Sequence, residues 1–391
     1  MSAALRSIVT PTAIIRLVLG WGAFIAIQLT GSLLDPPVAG PVLVTALVVI
    51  VAVILVCAFG VVTEAEHLAG RLGDPYGTLV LTLSICLIEV ILIAAVLLGP
   101  GDHATIARDS VMAVSMIILN AVVGLCLLVG GWRHGSMVHN RTGVSNYLSM
   151  IIVLVALAFA VPALIGSSGS YETWQEIPII IATVGIYAFF LYRQMGPQAR
   201  EFIEVDPRVA PGPSTPRTSP AEAAVEEGAE TQGIVEILSV HRLEIILRLA
   251  LLVATVLPIV LLSHDMAALL DDGFGSLGAP VALSGVIIAM IVFLPETLTS
   301  VRAAWNGEIQ RVSNLCHGAQ VSTVGLTIPT VLVIGMLTDQ RIVLAESPIN
   351  LLLLGITLLV SITAFAGRRV TAVHGVAHLI IFVVFGLAIF A

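Results

Sequence analysis

Apolar residues in this chain run in long unbroken blocks, with polar residues gathered between them. A bilayer-spanning helix needs about 20 apolar residues. Eleven blocks approach or exceed that length, at roughly 12–34, 40–63, 77–98, 108–131, 146–166, 177–194, 243–263, 279–300, 315–338, 348–366 and 375–391. The pattern predicts an all-α integral membrane protein with eleven transmembrane helices. The first block is too long for a signal peptide, and no small-residue cleavage site precedes Asp35-Pro36-Pro37, so it reads as a true span.

The longest polar stretch divides the blocks. Between Arg200 and Glu236 the chain holds Pro207, Pro211, Pro213, Pro216 and Pro220, then Glu222, Glu226, Glu227 and Glu230. This predicts a flexible linker followed by a short acidic helix. The organisation expected is a first helix in 1–36, five helices in 37–197, a cytoplasmic linker at 198–241 and five helices in 242–391. Five is odd, so two such units would lie in opposite orientations, related by a pseudo-twofold axis in the membrane plane. Val123-Gly124-Leu125 and Val324-Gly325-Leu326 fall in the third span of each unit, in keeping with an internal repeat.

Composition agrees with the membrane reading. Apolar residues make up 58% of the 391, mean hydropathy is +1.06, and 11% are charged, against about 25% in soluble domains. The net charge of −8 comes with no basic patch, which argues against nucleic acid. There is no lysine, and all 17 cationic side chains are arginine. With an N-terminus inside, only Arg108 and Arg341 fall outside, which predicts a cytoplasmic (inner) membrane protein with its C-terminus outside. Cys57, Cys86, Cys126 and Cys316 share no CxxC spacing and read as packing residues, with no cofactor.

Against this background two carboxylates stand out. Glu89 is the only charged residue of 77–98, and Glu296 lies in 279–300. A buried carboxylate in lipid is costly and marks a functional site by default. Pro295 precedes Glu296, and its missing N–H deprives the Ile291 carbonyl of its helical partner. Pro329 does the same for Gly325. A carbonyl so freed faces a cavity or an ion when nothing else satisfies it. Further oxygens lie nearby in sequence: Ser110, Ser115 and Asn120 on the fourth block, Gln320, Ser322, Thr323 and Thr327 on the ninth. Asn120 and Ser322 are the preferred pair, and interhelical glue is the competing reading for each of these residues. A hard cation such as Ca²⁺ takes about six to eight oxygens, and this inventory suits it, with Glu89 and Glu296 as the metal-binding carboxylates. Glu64, Glu66 and His67 read as a solvated helix end.

Other classes fare worse. An intramembrane enzyme needs a catalytic constellation, and neither HExxH nor a paired intramembrane Asp is present. Nothing resembles the filter loop of a channel. The chain reads as a transporter rather than an enzyme.

At these same residues the sequence is similar to a known family. Leu72-Gly73-Asp74-Pro75-Tyr76-Gly77-Thr78, Leu81-Thr82-Leu83-Ser84, Ile88-Glu89-Val90, Ala107-Arg108-Asp109, Asn120 and Gly130-Gly131-Trp132-Arg133 resemble the first repeat of bacterial ChaA-type cation/proton antiporters. Leu294-Pro295-Glu296, Asn306, Gln310, Asn314, Gly318, Thr323 and Gly325-Leu326-Thr327-Ile328-Pro329 resemble the second. The likeness runs from the second block to the end. It implies two inverted five-helix repeats plus an extra first helix, in the cation/calcium antiporter superfamily. It also implies that Glu89 and Glu296 carry both cation and proton. The wider superfamily has Gly-Asn four and three residues before each glutamate, where this chain has Ile85-Cys86 and Val292-Phe293. The function expected is exchange of Ca²⁺ for H⁺ by alternating access, with Na⁺ or K⁺ exchange for H⁺ as the alternative. The partners expected are inorganic cations, protons and the lipid bilayer.

Overall fold

The computed structural model describes residues 10–34, 38–72, 83, 86, 89–91, 93, 94, 97, 98, 104–205, 242–278, 280 and 282–390. Most of the third block, the Gly73–Thr78 motif, Ile85 and the linker with its expected acidic helix lie outside the described residues. The chain is an all-α membrane protein. Among the described residues, eight helices are long and apolar enough to cross a bilayer.

In chain order the helices are α1 (Pro11–Leu29), α2 (Gly40–Leu72), α3 (Ile106–His134), α4 (Arg141–Ile165), α5 (Thr173–Met195), α6 (Arg242–Leu277), α7 (Ala282–Val292), α8 (Leu294–Asn306), α9 (Ile309–Thr338), α10 (Pro348–Ala366) and α11 (Ala372–Ala388). The predicted block at 279–300 is not one straight helix. Leu283–Ile291 and Glu296–Asn306 are bent by 58°. Pro295 falls in the first turn of α8, where a missing N–H costs nothing, so the chain breaks at Phe293 and restarts. Pro329, in contrast, lies within an unbroken α9. The eighth and eleventh blocks thus enter as a bent pair and a 17-residue helix.

Several helices outrun their apolar blocks. α2 continues to Leu72, α6 to Leu277, and α9 starts at Ile309. The expectation of a solvated end at Glu64 is corrected here. Glu64 is buried and accepts a 2.7 Å ion-paired hydrogen bond from Arg248 on α6, which also pairs with Glu244 at 3.3 Å. The pairing offsets the cost of burying the charge. His67, one turn on, is exposed.

The two halves are interleaved. α1 rests on α2 and α6, where Gly20 lies against Pro258 and Cys57, and α2 packs along α6. Helices from before and after the linker cross over: α3 packs against α11, and α9 packs against α4 and α5. Loops cross over as well. β1 (Ser136–Val138) pairs antiparallel with β2 (Arg369–Thr371), with Met137 opposite Val370. A second crossing joins the N–H groups of Leu344 and Ala345 to the carbonyl of Gly169, each at 2.9 Å.

Candidate functional site

The site is built around α9. Its buried polar side chains Gln310, Asn314, His317, Gln320, Thr323 and Thr327 recur every three or four residues, the period that lines one face of a helix, with Ser313 beside Asn314. Each is at most 7% exposed. Polar groups so placed stay in the bundle because neighbouring helices hydrogen-bond them. Asn314 Nδ2 donates to the Phe202 carbonyl at 2.5 Å and its Oδ1 accepts from Gln310 at 3.0 Å. Ser313 Oγ is 2.9 Å from His317 Nδ1, and Gln320 Nε2 donates to Ser115 Oγ at 2.7 Å.

Glu89 reaches this face, and Glu296 lies near Glu89. Glu89, 5% exposed, accepts a 2.6 Å hydrogen bond on Oε2 from Thr323. Its Oε1 is unpaired, and both oxygens of Glu296, 6% exposed, are unpaired as well. Glu296 is within electrostatic reach of Glu89, and Cys86 within reach of both. Cys86 Sγ contacts the Ala319 carbonyl at 3.5 Å and Thr323 Oγ1 at 3.6 Å. The thiol read as a packing residue therefore stands beside the carboxylates. Phe293, the other departure from the superfamily pattern, is buried too.

Buried carboxylate oxygens without donors are costly unless they are neutralised. Three such oxygens are buried here, and Gln320 Oε1 and Thr327 Oγ1 on α9 are buried without a partner as well. Among the described residues no three His, Cys, Asp or Glu side chains group as a resident metal centre. The arrangement suits a site of two negative charges filled by a passing cation or by protons.

The preferred pair, Asn120 and Ser322, is not brought together by hydrogen bonds. Asn120 lies in a π-helical turn (Ile117–Val122) inside α3, donates to Thr357 Oγ1 at 2.9 Å and has its Oδ1 3.2 Å from His378 Nδ1. Ser322 Oγ accepts from the Tyr187 hydroxyl at 3.1 Å. Ser115, besides accepting from Gln320, donates to the Val111 carbonyl at 2.6 Å. Gly325 lies against the Tyr187 ring, and Gly124 against His378 and the Gly375 carbonyl. Tyr187, Thr357 and His378 were not singled out from sequence. The matched Val-Gly-Leu runs were the one signal for Tyr187 and His378, since Gly325 lies where α5 closes in and Gly124 where α11 does; Thr357 on α10 had none.

Comparison with known proteins agrees with this architecture. The sodium/calcium exchanger protein family matches residues 42–196 and 247–391, which include both glutamates and all of α3, α9 and α11. The chain belongs to that family. The exchanger is thus a membrane antiporter of cations. It is 32% identical over 330 residues to the y4hA protein of Sinorhizobium fredii, covering 84% of this chain and 83% of that one. It is 29% identical over 341 residues to the sodium-potassium/proton antiporter ChaA of Escherichia coli, covering 86% of this chain and 87% of ChaA. Its fold is shared with the H⁺/Ca²⁺ exchanger CAX, at TM-score 0.62 and 12% identity over 96% of this chain and 89% of that one. It is shared too with native YfkE, at TM-score 0.60 and 14% identity over 96% and 99%.

Proposed function

We propose that this exchanger moves Ca²⁺ against H⁺ across the cytoplasmic membrane, with Glu89 and Glu296 as the groups that carry both. The observation behind this reading is the pair of buried glutamates, one from each half, with three carboxylate oxygens lacking donors. Further oxygens for the cation come from Gln320, Thr327 and Thr323, and from the broken helix at Ile291 and Pro295. Ser115 orients Gln320. Asn120 and Ser322 support the third spans, holding α3 to α10 and α11 and α9 to α5.

The coupling follows from charge. One Ca²⁺ or two protons neutralise the pair. An empty, doubly charged site is too costly to carry across the membrane, so the two access states interconvert only when loaded. Inverted repeats supply the two states. The reciprocal contacts of α3 with α11 and of α9 with α5 favour that reading, as do the two crossed loop pairings. The arginine distribution favours a cytoplasmic N-terminus and linker, with the C-terminus outside.

A second reading is Na⁺ or K⁺ exchange for H⁺. The name of the similar ChaA protein favours it. So does Cys86, whose thiol stands where the superfamily has an amide oxygen, since hard Ca²⁺ asks for more oxygens than a monovalent ion. Inverted vesicles with an imposed proton gradient separate the readings. Ca²⁺ uptake abolished by collapsing the gradient supports the first. Proton-coupled Na⁺ or K⁺ flux without Ca²⁺ flux replaces it with the second, and cation flux indifferent to the gradient overturns both.

A further inference from the structure

A groove of about 740 Å³ opens between the start of α4 and the end of α10, away from the glutamates. We infer that it binds one anionic phospholipid of the leaflet it faces, with the phosphate between Arg141 and Arg368 and an acyl chain along Ile152 and Ile362.

Its lining is graded with depth. Arg141 opens α4, and Arg368 follows α10; both are exposed, and neither has an ion pair or hydrogen bond among the described residues. One turn deeper lie Ser145 and Asn146, and Asn146 Nδ2 is buried without an acceptor. Two further turns along are Ile152 and, from α10, Ile362. Arg141 to Ile152 spans roughly 16 Å at 1.5 Å per residue. That is close to the depth of one leaflet, about half of the 30 Å hydrocarbon core. A cationic mouth, an amide donor below it and an apolar floor match a phosphate, an ester carbonyl and a chain in that order.

The mouth is also held in place. The β1–β2 pairing sets Val138 opposite Arg369, which fixes Arg141 and Arg368 on neighbouring loops, one from each half. His139 Nε2 lies 3.1 Å from the Phe365 carbonyl and its ring packs edge-on against Phe365. Arg369 is occupied elsewhere, donating to Ser136 Oγ at 3.1 Å. Free anion would need the two guanidiniums alone. The apolar floor favours a lipid, and basic pockets between membrane helices are a recognised setting for anionic headgroups.

The test uses the full chain, delipidated in detergent and titrated separately with phosphatidylglycerol, phosphatidylcholine of the same chains, and inorganic phosphate. Adducts are read by native mass spectrometry and stability by thermal unfolding. Phosphatidylglycerol should give a single saturable adduct and a raised unfolding midpoint. The Arg141→Gln/Arg368→Gln double variant should lose roughly 25-fold in affinity, about fivefold per arginine. Arg311→Gln, which alters an exposed arginine paired with Glu308, should leave binding unchanged. Ile362→Trp keeps both arginines and should weaken the lipid while sparing the unfolding midpoint of the lipid-free protein. Equal binding of the two lipids, or binding unchanged in the double variant, overturns the inference. So does full occupancy by inorganic phosphate alone, which would make the groove a free-anion site.

Discussion

The proposed exchange rests on two side chains, Glu89 and Glu296, with three carboxylate oxygens lacking donors. Glu→Gln at either keeps size and removes one of the two charges that balance the cation. A neutral amide is no dearer in the bilayer than a protonated acid, so each variant should fold and reach the membrane. Cation-driven proton movement in vesicles should fall to background in both, and near wild-type exchange in either would remove that residue from the site. Another buried acid behaves differently. Glu346, in the loop before α10, takes hydrogen bonds on Oε2 from Ser347 N–H at 2.7 Å and Asn350 Nδ2 at 2.9 Å, and Arg108 lies 3.9 Å from its Oε1. Burial nonetheless pushes its carboxyl above the ordinary carboxylate range. A value raised in the folded state means that the unfolded chain releases this proton first as pH rises. Its stabilising effect is therefore full below about pH 4.5 and is lost as pH rises through the raised folded value. Glu346→Gln should flatten that loss. The difference between the two stability curves should change by at most about 1.4 kcal/mol per pH unit, the limit for one proton. Parallel curves from pH 4 to pH 8 in detergent would show that Glu346 does not titrate in this way.

Among the described helices, α3 and α11 approach closely at Gly124 and Gly375. A Cβ on Gly375 would lie 2.6 Å from the Gly124 carbonyl and would run into the Leu128 N–H. Both are backbone atoms that cannot swing aside. Gly375→Ala should thus force the helices apart and cost about 1–3 kcal/mol, the usual penalty for overpacking. Gly386→Ala on the same helix meets nothing within 4 Å and should be neutral. Thermal unfolding of the two variants side by side checks this, and equal midpoints would contradict the close packing. The apolar blocks made most helices legible because a membrane helix must be apolar wherever lipid touches it. The same rule hid the start of α9. Gln310, Ser313 and Asn314 end the apolar pattern, yet they are buried, because Phe202, Glu204 and Asn140 supply partners to Gln310 and Asn314 from parts of the chain far away in sequence, and His317 supplies one to Ser313. Arg248 likewise decides the environment of Glu64 from 184 residues away. The break at Phe293 was half legible: Pro295 announced a kink, and its place in the first turn of α8 set where the helix restarts. Glu89 and Glu296 were legible as lone charges, whereas Tyr187, Thr357 and His378 were not. A hydroxyl or an imidazole in an apolar run acquires meaning only from the helix opposite.

For the molecule as a whole, the proposed exchange makes orientation and coupling one question, because two opposed repeats would give the alternating faces that it requires. Cysteines introduced by Ser214→Cys in the linker and Ser276→Cys near the end of α6 report orientation. An impermeant thiol reagent on intact cells should label the second and spare the first, and the opposite result would reverse the assigned faces. Stoichiometry then follows from the number of carriers. If Glu89 and Glu296 alone hold the protons, one Ca²⁺ leaves as two H⁺ enter, and each cycle moves no net charge. Exchange should slow at acid pH, where protons occupy the pair, and should ignore a membrane potential imposed at fixed ΔpH. His317 is the residue placed to change that count. It is fully buried on the polar face of α9, one turn before Gln320, bonded through Nδ1 to Ser313 and with Nε2 unpaired. Were it to carry a third proton, every cycle would move one charge and gain about 2.3 kcal/mol per 100 mV. Exchange in vesicles clamped at zero ΔpH distinguishes the two. A rate unchanged by an inside-negative potential supports two carriers. Acceleration that vanishes in His317→Gln would assign the third proton to the histidine.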